Sequence, residues 1–162
     1  MLNAESVDYL LIGGYAVNYH GYSRSTGDMA VWISPTPDNI VRTVSALQQF
    51  GFTAANSSLF NEPNGMLRMG VPPLRLEILT SIDGVTFADC FSRRVTADLE
   101  GILVPVINFD DLKRNKRAGG RAKDLAELEE LLISVHTPPV FALYVVRLEI
   151  LRLRVHTARQ IQ

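Results

Sequence analysis

The sequence contains a single cysteine, Cys90. No disulfide can therefore form within the chain, and the protein suits a reducing cytoplasm. No run of about eighteen apolar residues occurs, so we expect no membrane-spanning helix. The N-terminus lacks a basic segment followed by an apolar run, so we expect no signal peptide. The formal net charge is −1. This value excludes a strong overall attraction to nucleic acid or to membrane surfaces, and any basic site must be local.

Two common nucleotide-binding motifs are also absent. A P-loop kinase is excluded because the pattern Gly-x-x-x-x-Gly-Lys-Ser/Thr does not occur. A dinucleotide-binding fold is excluded because Gly13-Gly14 lacks the third glycine and the spacing downstream of it. What the chain does contain is enough apolar side chain for a core, since 47% of its 162 residues are hydrophobic. This length fits one domain.

The most informative stretch runs from residue 9 to residue 33. It predicts a buried strand, a double-glycine turn, a short helix, a polar loop and a second strand. Gly13 and Gly14 let the backbone turn tightly and approach an anion, which the N–H groups of the following helix can bind. Asp28 begins the second strand. Because alternate side chains of a strand share a face, Asp28 and Ala30 are expected on the same side of the sheet.

This stretch resembles the signature of the polymerase-beta-like nucleotidyltransferase superfamily, in particular small prokaryotic proteins of the minimal nucleotidyltransferase type. That signature reads Gly-Gly, then His-Gly, Arg-x-Thr and Asp-x-Asp. The residues that match it are Gly13, Gly14, His20, Gly21, Arg24, Thr26 and Asp28. Ala30 stands at the position of the second aspartate. The resemblance implies an α+β nucleotidyltransferase fold, with a small mixed β-sheet flanked by helices, over residues 1–135.

A further acidic residue, Glu77, lies in a predicted strand whose other face carries Leu74, Leu76 and Ile78. A structural interpretation is a salt bridge between Glu77 and Arg75 or Arg68 at a sheet edge. The resemblance instead implies that Glu77 is the third metal-binding carboxylate, and we favour this interpretation. Asp28 and Glu77 would then hold Mg²⁺ or Mn²⁺ that carries a nucleoside triphosphate. Ala30 supplies no ligand, so metal binding and transfer are expected to be impaired.

The residues expected to contact the nucleotide lie in two places. Arg24 in the polar loop could bind a phosphate, or clamp the following aspartate or a carbonyl; the resemblance favours the phosphate. It implies a nucleotide-binding role for Thr26 as well. Six basic residues fall between positions 113 and 123. A solvated helix face would explain them, whereas the resemblance implies that Lys116 and Lys123 place positive charge beside the nucleotide.

Other positions allow a structural explanation. His20 could be catalytic, but a hydrogen bond from the end of the short helix to a loop is the favoured interpretation. Cys90 is expected to be a small buried apolar group. Asp110 and Asp111 are expected to cap a helix. A helix is predicted to begin at Lys123. Its spacing predicts that four leucines face inward, namely Leu125, Leu128, Leu131 and Leu132. It predicts that three glutamates face outward, namely Glu127, Glu129 and Glu130.

The resemblance stops near residue 133, and residues 136–162 form an apolar C-terminal extension. The extension follows the breaker Pro138-Pro139. Its spacing fits both a helix and strand alternation, and its length favours a helix. Because this extension is so apolar, we expect it to pack against a surface, either on its own domain or on a second copy in a homodimer.

Two functions from different classes follow. In the first, the lineage transfers a nucleoside monophosphate from a triphosphate to a hydroxyl of a protein, RNA or small molecule; the retained Asp28 and Glu77 favour this. In the second, the chain is a non-catalytic nucleotide-binding module, or an antitoxin-like partner of a separate helical toxin; Ala30 favours this. A naturally degenerate member and a deliberately inactivated variant would both show this pattern.

Overall fold

A computed structural model describes residues 1–22, 25–62, 64–71, 74–99 and 101–133. The strands within these ranges are β1 (Tyr9–Ile12), β2 (Asp28–Ile33), β3 (Met66–Val71), β4 (Leu74–Leu79), β5 (Val95–Leu99) and β6 (Ile102–Val106). The helices are α1 (Gly13–Tyr19), α2 (Pro37–Gln49), α3 (Phe87–Ser92), α4 (Phe109–Gly119) and α5 (Ala122–Ile133), with a 3₁₀ helix at Ser57–Phe60.

The six strands form one mixed sheet in the order β3-β4-β2-β1-β6-β5. Three neighbouring pairs are antiparallel, namely β1 with β2, β3 with β4, and β5 with β6. Two pairs are parallel, β1 with β6 and β2 with β4. The chain therefore has the α+β fold with a small mixed sheet flanked by helices that the sequence predicted.

Helices cover both faces of the sheet, and β2 contributes to both cores because its side chains alternate. Val31 and Ile33 pack on the side of α2 and the 3₁₀ helix, where Ala46 and Leu47 of α2 are fully buried. Trp32 packs on the other side, against residues of α1, α3, α4 and α5. Its indole N–H donates to Thr80 O at 3.1 Å, so the buried ring leaves no polar atom unpaired.

Asn39 joins α2 to the two central strands. Its Oδ1 accepts from Asp8 N at 2.8 Å, and its Nδ2 donates to Asp8 O and Ser34 O, each at 3.0 Å. The side chain is fully buried, so these bonds satisfy an amide that would be costly to leave unpaired. Because Asp8 precedes β1 and Ser34 follows β2, Asn39 holds the strand pair that carries the candidate site.

The start of α4 differs from the expectation drawn from the sequence. The N-cap is Asn108, whose Oδ1 accepts from Asp111 N at 2.9 Å. Asp110 and Asp111 lie in the first helical turn, where their charges suit the helix dipole without capping it. The expected capping by these two aspartates was wrong, since the cap is Asn108, two residues before Asp110.

The expected orientation of α5 was also partly wrong. Leu125 and Leu132 are exposed, at 44% and 54%, whereas Glu127 is 3% exposed. The reason is electrostatic, because Glu127 Oε2 lies 2.6 Å from Nζ of Lys116 in α4. Leu128 and Leu131 are buried as expected.

Residues 134–162 lie outside the described part of the chain. The division into a domain of residues 1–135 and an extension of residues 136–162 therefore stays a prediction. Among the helices of the described ranges, none is long and apolar enough to cross a membrane.

Candidate functional site

The candidate site lies where β2 and β4 run side by side. Their parallel register pairs Asp28 with Arg75 and Ala30 with Glu77. Because alternate residues share a face, all four positions are on the same side of the sheet. Asp28 and Glu77 therefore lie on adjacent strands.

Arg75 bridges the two carboxylates. Its Nη2 lies 2.6 Å from Asp28 Oδ2 and 3.6 Å from Glu77 Oε1. These two carboxylate oxygens are therefore no further apart than the sum of those distances. That separation is below the roughly 8 Å beyond which a pair of cations could not bridge them. The predicted metal site at Asp28 and Glu77 therefore meets this distance limit, and it stays a prediction.

A second arginine contacts Glu77 from the neighbouring strand. Arg68 of β3 is paired with Glu77 in the antiparallel register, and its Nε donates to Glu77 Oε1 at 2.7 Å. The salt bridges expected from the structural interpretation of Glu77 do form. They coexist with the carboxylate pair rather than excluding it, so the site holds two carboxylates and two guanidinium groups.

The side chains of this site are partly shielded from water. Glu77 is 17% exposed and Arg75 is 29% exposed, whereas Arg68 is 56% exposed. The hydrogen bond to Asp28 raises the pKa of the Arg75 guanidinium, and the negative charges of Asp28 and Glu77 raise it further. Within the described residues, Nε of Arg75 is buried without a hydrogen-bond partner. Arg75 is thus the most enclosed of the cations at this site.

The double glycine lies beside Ala30. Gly13 begins α1 with φ of +63°, in the left-handed region that favours glycine. A Cβ at this position would lie 3.2 Å from Cβ of Ala30, and Ile12 just before it pairs with Ala30 in the sheet. Gly14 is buried in the first turn of α1. The glycine turn therefore packs against Ala30 of β2, and its predicted approach to an anion stays a prediction.

The loop before β2 is described only in part. Thr26 is buried, and its hydroxyl donates to Asp28 O at 3.5 Å, which supports the start of β2. Arg24 lies outside the described residues, so its phosphate-binding role stays a prediction. Its alternative role as a clamp for Asp28 or a carbonyl is likewise untested, whereas Arg75 donates to Asp28 Oδ2 at 2.6 Å, a contact that the sequence analysis did not predict. The sequence feature that could have indicated this contact is that Arg75 shares a strand face with Glu77.

Lys116 lies inside the α4–α5 pair. Its Nζ is 2.7 Å from Asp124 Oδ1 and 2.6 Å from Glu127 Oε2, and its side chain is 8% exposed. Burial by itself would raise the pKa of Asp124, but hydrogen bonds from Lys116 and Arg121 outweigh it and lower the pKa. Lys116 is thus neutralised by its own helices, whereas Lys123 is exposed. The i, i+3 spacing of Asp124 and Glu127 was the signal that sequence reasoning missed.

His20 has a structural hydrogen bond. Its Nε2 donates to Ile107 O at 2.8 Å, and burial lowers the pKa of the ring although this bond partly opposes the shift. The favoured interpretation, a bond from the helix end to a loop, is confirmed. His20 also lines an open cleft of about 480 Å³ with Tyr19, Gly21, Val95, Asn108, Phe109 and Asp110. Among the residues that the structure describes, no candidate metal- or nucleotide-binding residue lines that cleft.

The donor set on the paired strands β2 and β4 suits a hard cation. Carboxylate oxygens are the ligands that Mg²⁺ prefers, and Mg²⁺ commonly takes one or two carboxylates together with phosphate and water oxygens. Asp28 and Glu77 supply two such groups, and Ala30 supplies none. In the described part of the chain, no three His, Cys, Asp or Glu side chains form a metal-binding group. The residues present fit one cation that arrives with phosphate ligands.

Comparison with solved structures identifies the fold. The solution structure of the antibiotic-resistance factor ANT(2'')-Ia is similar, with a TM-score of 0.50 and 9% identity over 98% of this chain and 89% of that chain. The crystal structure of the lincosamide antibiotic adenylyltransferase LnuA with lincomycin bound has a TM-score of 0.47 and 13% identity, over 80% of this chain and 89% of that chain. No family model and no curated protein matches the sequence.

These two proteins are polymerase-beta-like nucleotidyltransferases. The chain shares the fold of ANT(2'')-Ia, the nucleotidyltransferase fold. At identities this low the likeness shows the fold alone.

Proposed function

We propose that the chain binds a nucleoside triphosphate together with one divalent cation, Mg²⁺ or Mn²⁺, on the sheet face where β2 and β4 pair. Its lineage is that of enzymes that transfer a nucleoside monophosphate to a hydroxyl acceptor. The observation that carries this proposal is the juxtaposition of Asp28 and Glu77 through Arg75 on a nucleotidyltransferase fold. The tight turn at Gly13 beside the same site supports it.

Each residue of this site has a proposed part. Asp28 and Glu77 would hold the cation, which would neutralise phosphate charge when bound. Gly13 and Gly14 allow the backbone to lie close to a phosphate group, because no side chain stands in the way. The hydrogen-bond acceptor of Arg75 can change from a carboxylate to a phosphate group, because guanidinium groups bind both in the same forked geometry.

The remaining predictions of nucleotide-binding residues rest on the resemblance to the family. Arg24, Thr26 and Lys123 complete the proposed set by resemblance. Lys116 would serve the nucleotide indirectly, because its ion pairs with Asp124 and Glu127 hold α5, which carries Lys123, against α4.

Ala30 is the reason to propose impaired transfer. A cation neutralises the reacting phosphate, and Ala30 removes one carboxylate that would bind this cation. Such a loss costs several kcal/mol of transition-state stabilisation, which lowers the rate roughly a thousandfold. Binding of the triphosphate depends less on that ligand, because the other carboxylates, the glycine turn and the arginines remain. The acceptor would be a hydroxyl of a protein, an RNA or a small molecule, and the small-molecule class is the first to test.

The alternative is a non-catalytic nucleotide-binding module. It is favoured by Ala30 and by the full pairing of Asp28 and Glu77 with arginines. The antitoxin-like role with a helical toxin partner, the homodimer and the cytoplasmic location stay predictions. The homodimer depends on the extension at 136–162, which lies outside the described residues.

Equilibrium binding of each labelled nucleoside triphosphate with Mg²⁺ tests the proposal. We expect dissociation constants between micromolar and millimolar, weakened about tenfold or more by Asp28→Asn and by Glu77→Gln because each removes a ligand charge. Glu62→Gln is the matched control, since Glu62 is an exposed carboxylate in a loop. Absence of binding for every triphosphate, or equal binding by all variants, would overturn the proposal.

A further inference from the structure

One guanidinium nitrogen contacts both proposed metal ligands. Nη2 of Arg75 lies 2.6 Å from Asp28 and 3.6 Å from Glu77, and Glu77 also accepts from Arg68 at 2.7 Å. Both carboxylates therefore already have a cationic partner supplied by the chain. The cation position of this site is occupied by a side chain.

We infer that Arg75 is an internal cation that competes with divalent metal for Asp28 and Glu77, and that it moves from these carboxylates to a phosphate group when a triphosphate binds. The inference rests on the proposed metal and nucleotide function of the same site. It makes Arg75 a positioning residue that sets the order of ligand binding. Free metal would bind poorly, whereas metal together with triphosphate would bind well.

The charges at the site argue for competition. Asp28 and Glu77 carry two negative charges, and Arg68 and Arg75 carry two positive charges, so the site is formally neutral. A divalent cation added to this arrangement meets two fixed positive charges at short range, in a partly shielded position where Coulomb energies are larger than in water. Arginine cannot relieve the repulsion by losing its proton.

Geometry argues for the same conclusion. Mg²⁺ requires oxygen ligands at about 2.0–2.1 Å in near-octahedral arrangement. Arg75 instead holds Asp28 Oδ2 at 2.6 Å, so a cation that binds this oxygen would meet the guanidinium charge at close range. Ala30 strengthens the effect, because a carboxylate at this position would leave the site with a net negative charge that attracts metal.

Phosphate provides the alternative partner for Arg75. The side chain is 29% exposed, so its guanidinium is within reach of a ligand approaching from solvent. Phosphate oxygens accept the same forked pair of N–H bonds as a carboxylate. When the guanidinium turns to phosphate, Asp28 and Glu77 are freed for the cation that the triphosphate carries. Metal and triphosphate then favour each other's binding, as reciprocal coupling requires.

Two binding measurements test this, and neither depends on activity. Mn²⁺ alone is titrated into the nucleotide-free protein and followed by electron paramagnetic resonance. A labelled nucleoside triphosphate is titrated separately in the presence of a chelator, without metal. The proteins are the unmodified chain, Arg75→Gln, Arg75→Met and, as a control, Arg42→Gln. Arg42 is an ion-paired arginine on α2, away from the site, with Asp8 at 3.4 Å.

The two affinities should move in opposite directions. Removing the Arg75 charge should tighten Mn²⁺ binding at least tenfold and weaken metal-free triphosphate binding several-fold, while Arg42→Gln changes neither. A merely structural Arg75 would weaken both. Arg75→Met keeps an unbranched stem, so the test survives if Arg75→Gln does not fold.

Unchanged or weaker Mn²⁺ binding by the Arg75 variants would overturn the inference. Tighter Mn²⁺ binding without triphosphate binding by any protein would support the competition with metal and refute both the move to phosphate and the proposed nucleotide function.

Discussion

Ala30 lies directly opposite Glu77 in the parallel pairing of β2 with β4. On its other side, Ala30 pairs with Ile12, the residue just before the glycine turn. It therefore stands between the turn and the carboxylates, at the centre of the candidate site. A methyl group at that position fills space but offers no oxygen to a cation or a proton acceptor to a substrate. The departure from the Asp-x-Asp pattern therefore falls between Glu77 and the glycine turn.

The glycine turn should be less tolerant of a side chain than an ordinary left-handed position. Gly13→Ala places Cβ 3.2 Å from Cβ of Ala30, in addition to the strain of φ at +63°. Gly120→Ala is the matched control, because its φ is +61° and the nearest atom is 4.0 Å away. We expect losses in unfolding free energy of about 2 and about 1 kcal/mol, respectively. Urea denaturation measures both, and equal losses would contradict the contact with Ala30.

Lys116 should contribute to stability more than to direct binding. Lys116→Ala leaves Asp124 and Glu127, each 3% exposed, without their shared cation. We expect a loss of about 3 kcal/mol or more in unfolding free energy. Lys123→Ala, at an exposed position, should change it by no more than about 0.5 kcal/mol.

Chemical denaturation and triphosphate titration of both lysine variants separate the two roles. Weaker triphosphate binding by a Lys116→Ala protein of normal stability would instead support the direct phosphate contact predicted from the sequence.

His20 should make stability depend on pH in the weakly acidic range. Its pKa in the folded protein is lowered from 6.5 by burial, so the unfolded chain binds the proton more readily. Stability is therefore full above about pH 6.5 and falls as the pH drops towards the lower pKa of the folded state.

The effect of His20 can be isolated by substitution. His20→Gln keeps a donor for Ile107 O but no longer titrates, so its melting temperature should change less between about pH 7.5 and pH 5.5. Asp110, which lines the same cleft, acts at lower pH, because Lys113 holds the pKa of its carboxyl below 3.8. The same acid dependence in both proteins would rule out His20 as its source.

Features set by short-range periodicity were predictable from the sequence. The alternation in β2 and β4 indicated which side chains share a face, and it correctly placed Asp28 with Ala30 and Glu77 with Arg75. The burial of Cys90 was also predictable, since small apolar side chains favour the core. Its thiol is fully buried, which raises its pKa to about 12.

Features that depend on how elements meet were not predictable in this way. The i, i+3 spacing places Asp124 and Glu127 on one face of α5, but only the contact of α4 with α5 shows that Lys116 lies against that face. The contact of Arg75 with Asp28 requires the parallel register of β2 and β4, which joins residues 47 positions apart. The charged residues can be identified from the sequence, but which of them form ion pairs depends on the tertiary structure.

The most direct test of the central claim compares Ala30→Asp with Ala30→Asn in a transfer assay. Each protein is incubated with labelled nucleoside triphosphates, Mg²⁺ and protein, RNA or small hydroxylated acceptors, and label transfer is measured. Asparagine matches the size of aspartate without its charge, so it controls for crowding against Gly13. If Ala30 is a lost ligand position, Ala30→Asp raises transfer by at least about a hundredfold, Ala30→Asn does not, and triphosphate affinity changes far less. Brisk transfer by the unmodified chain, or background activity in Ala30→Asp with every acceptor, would contradict the account.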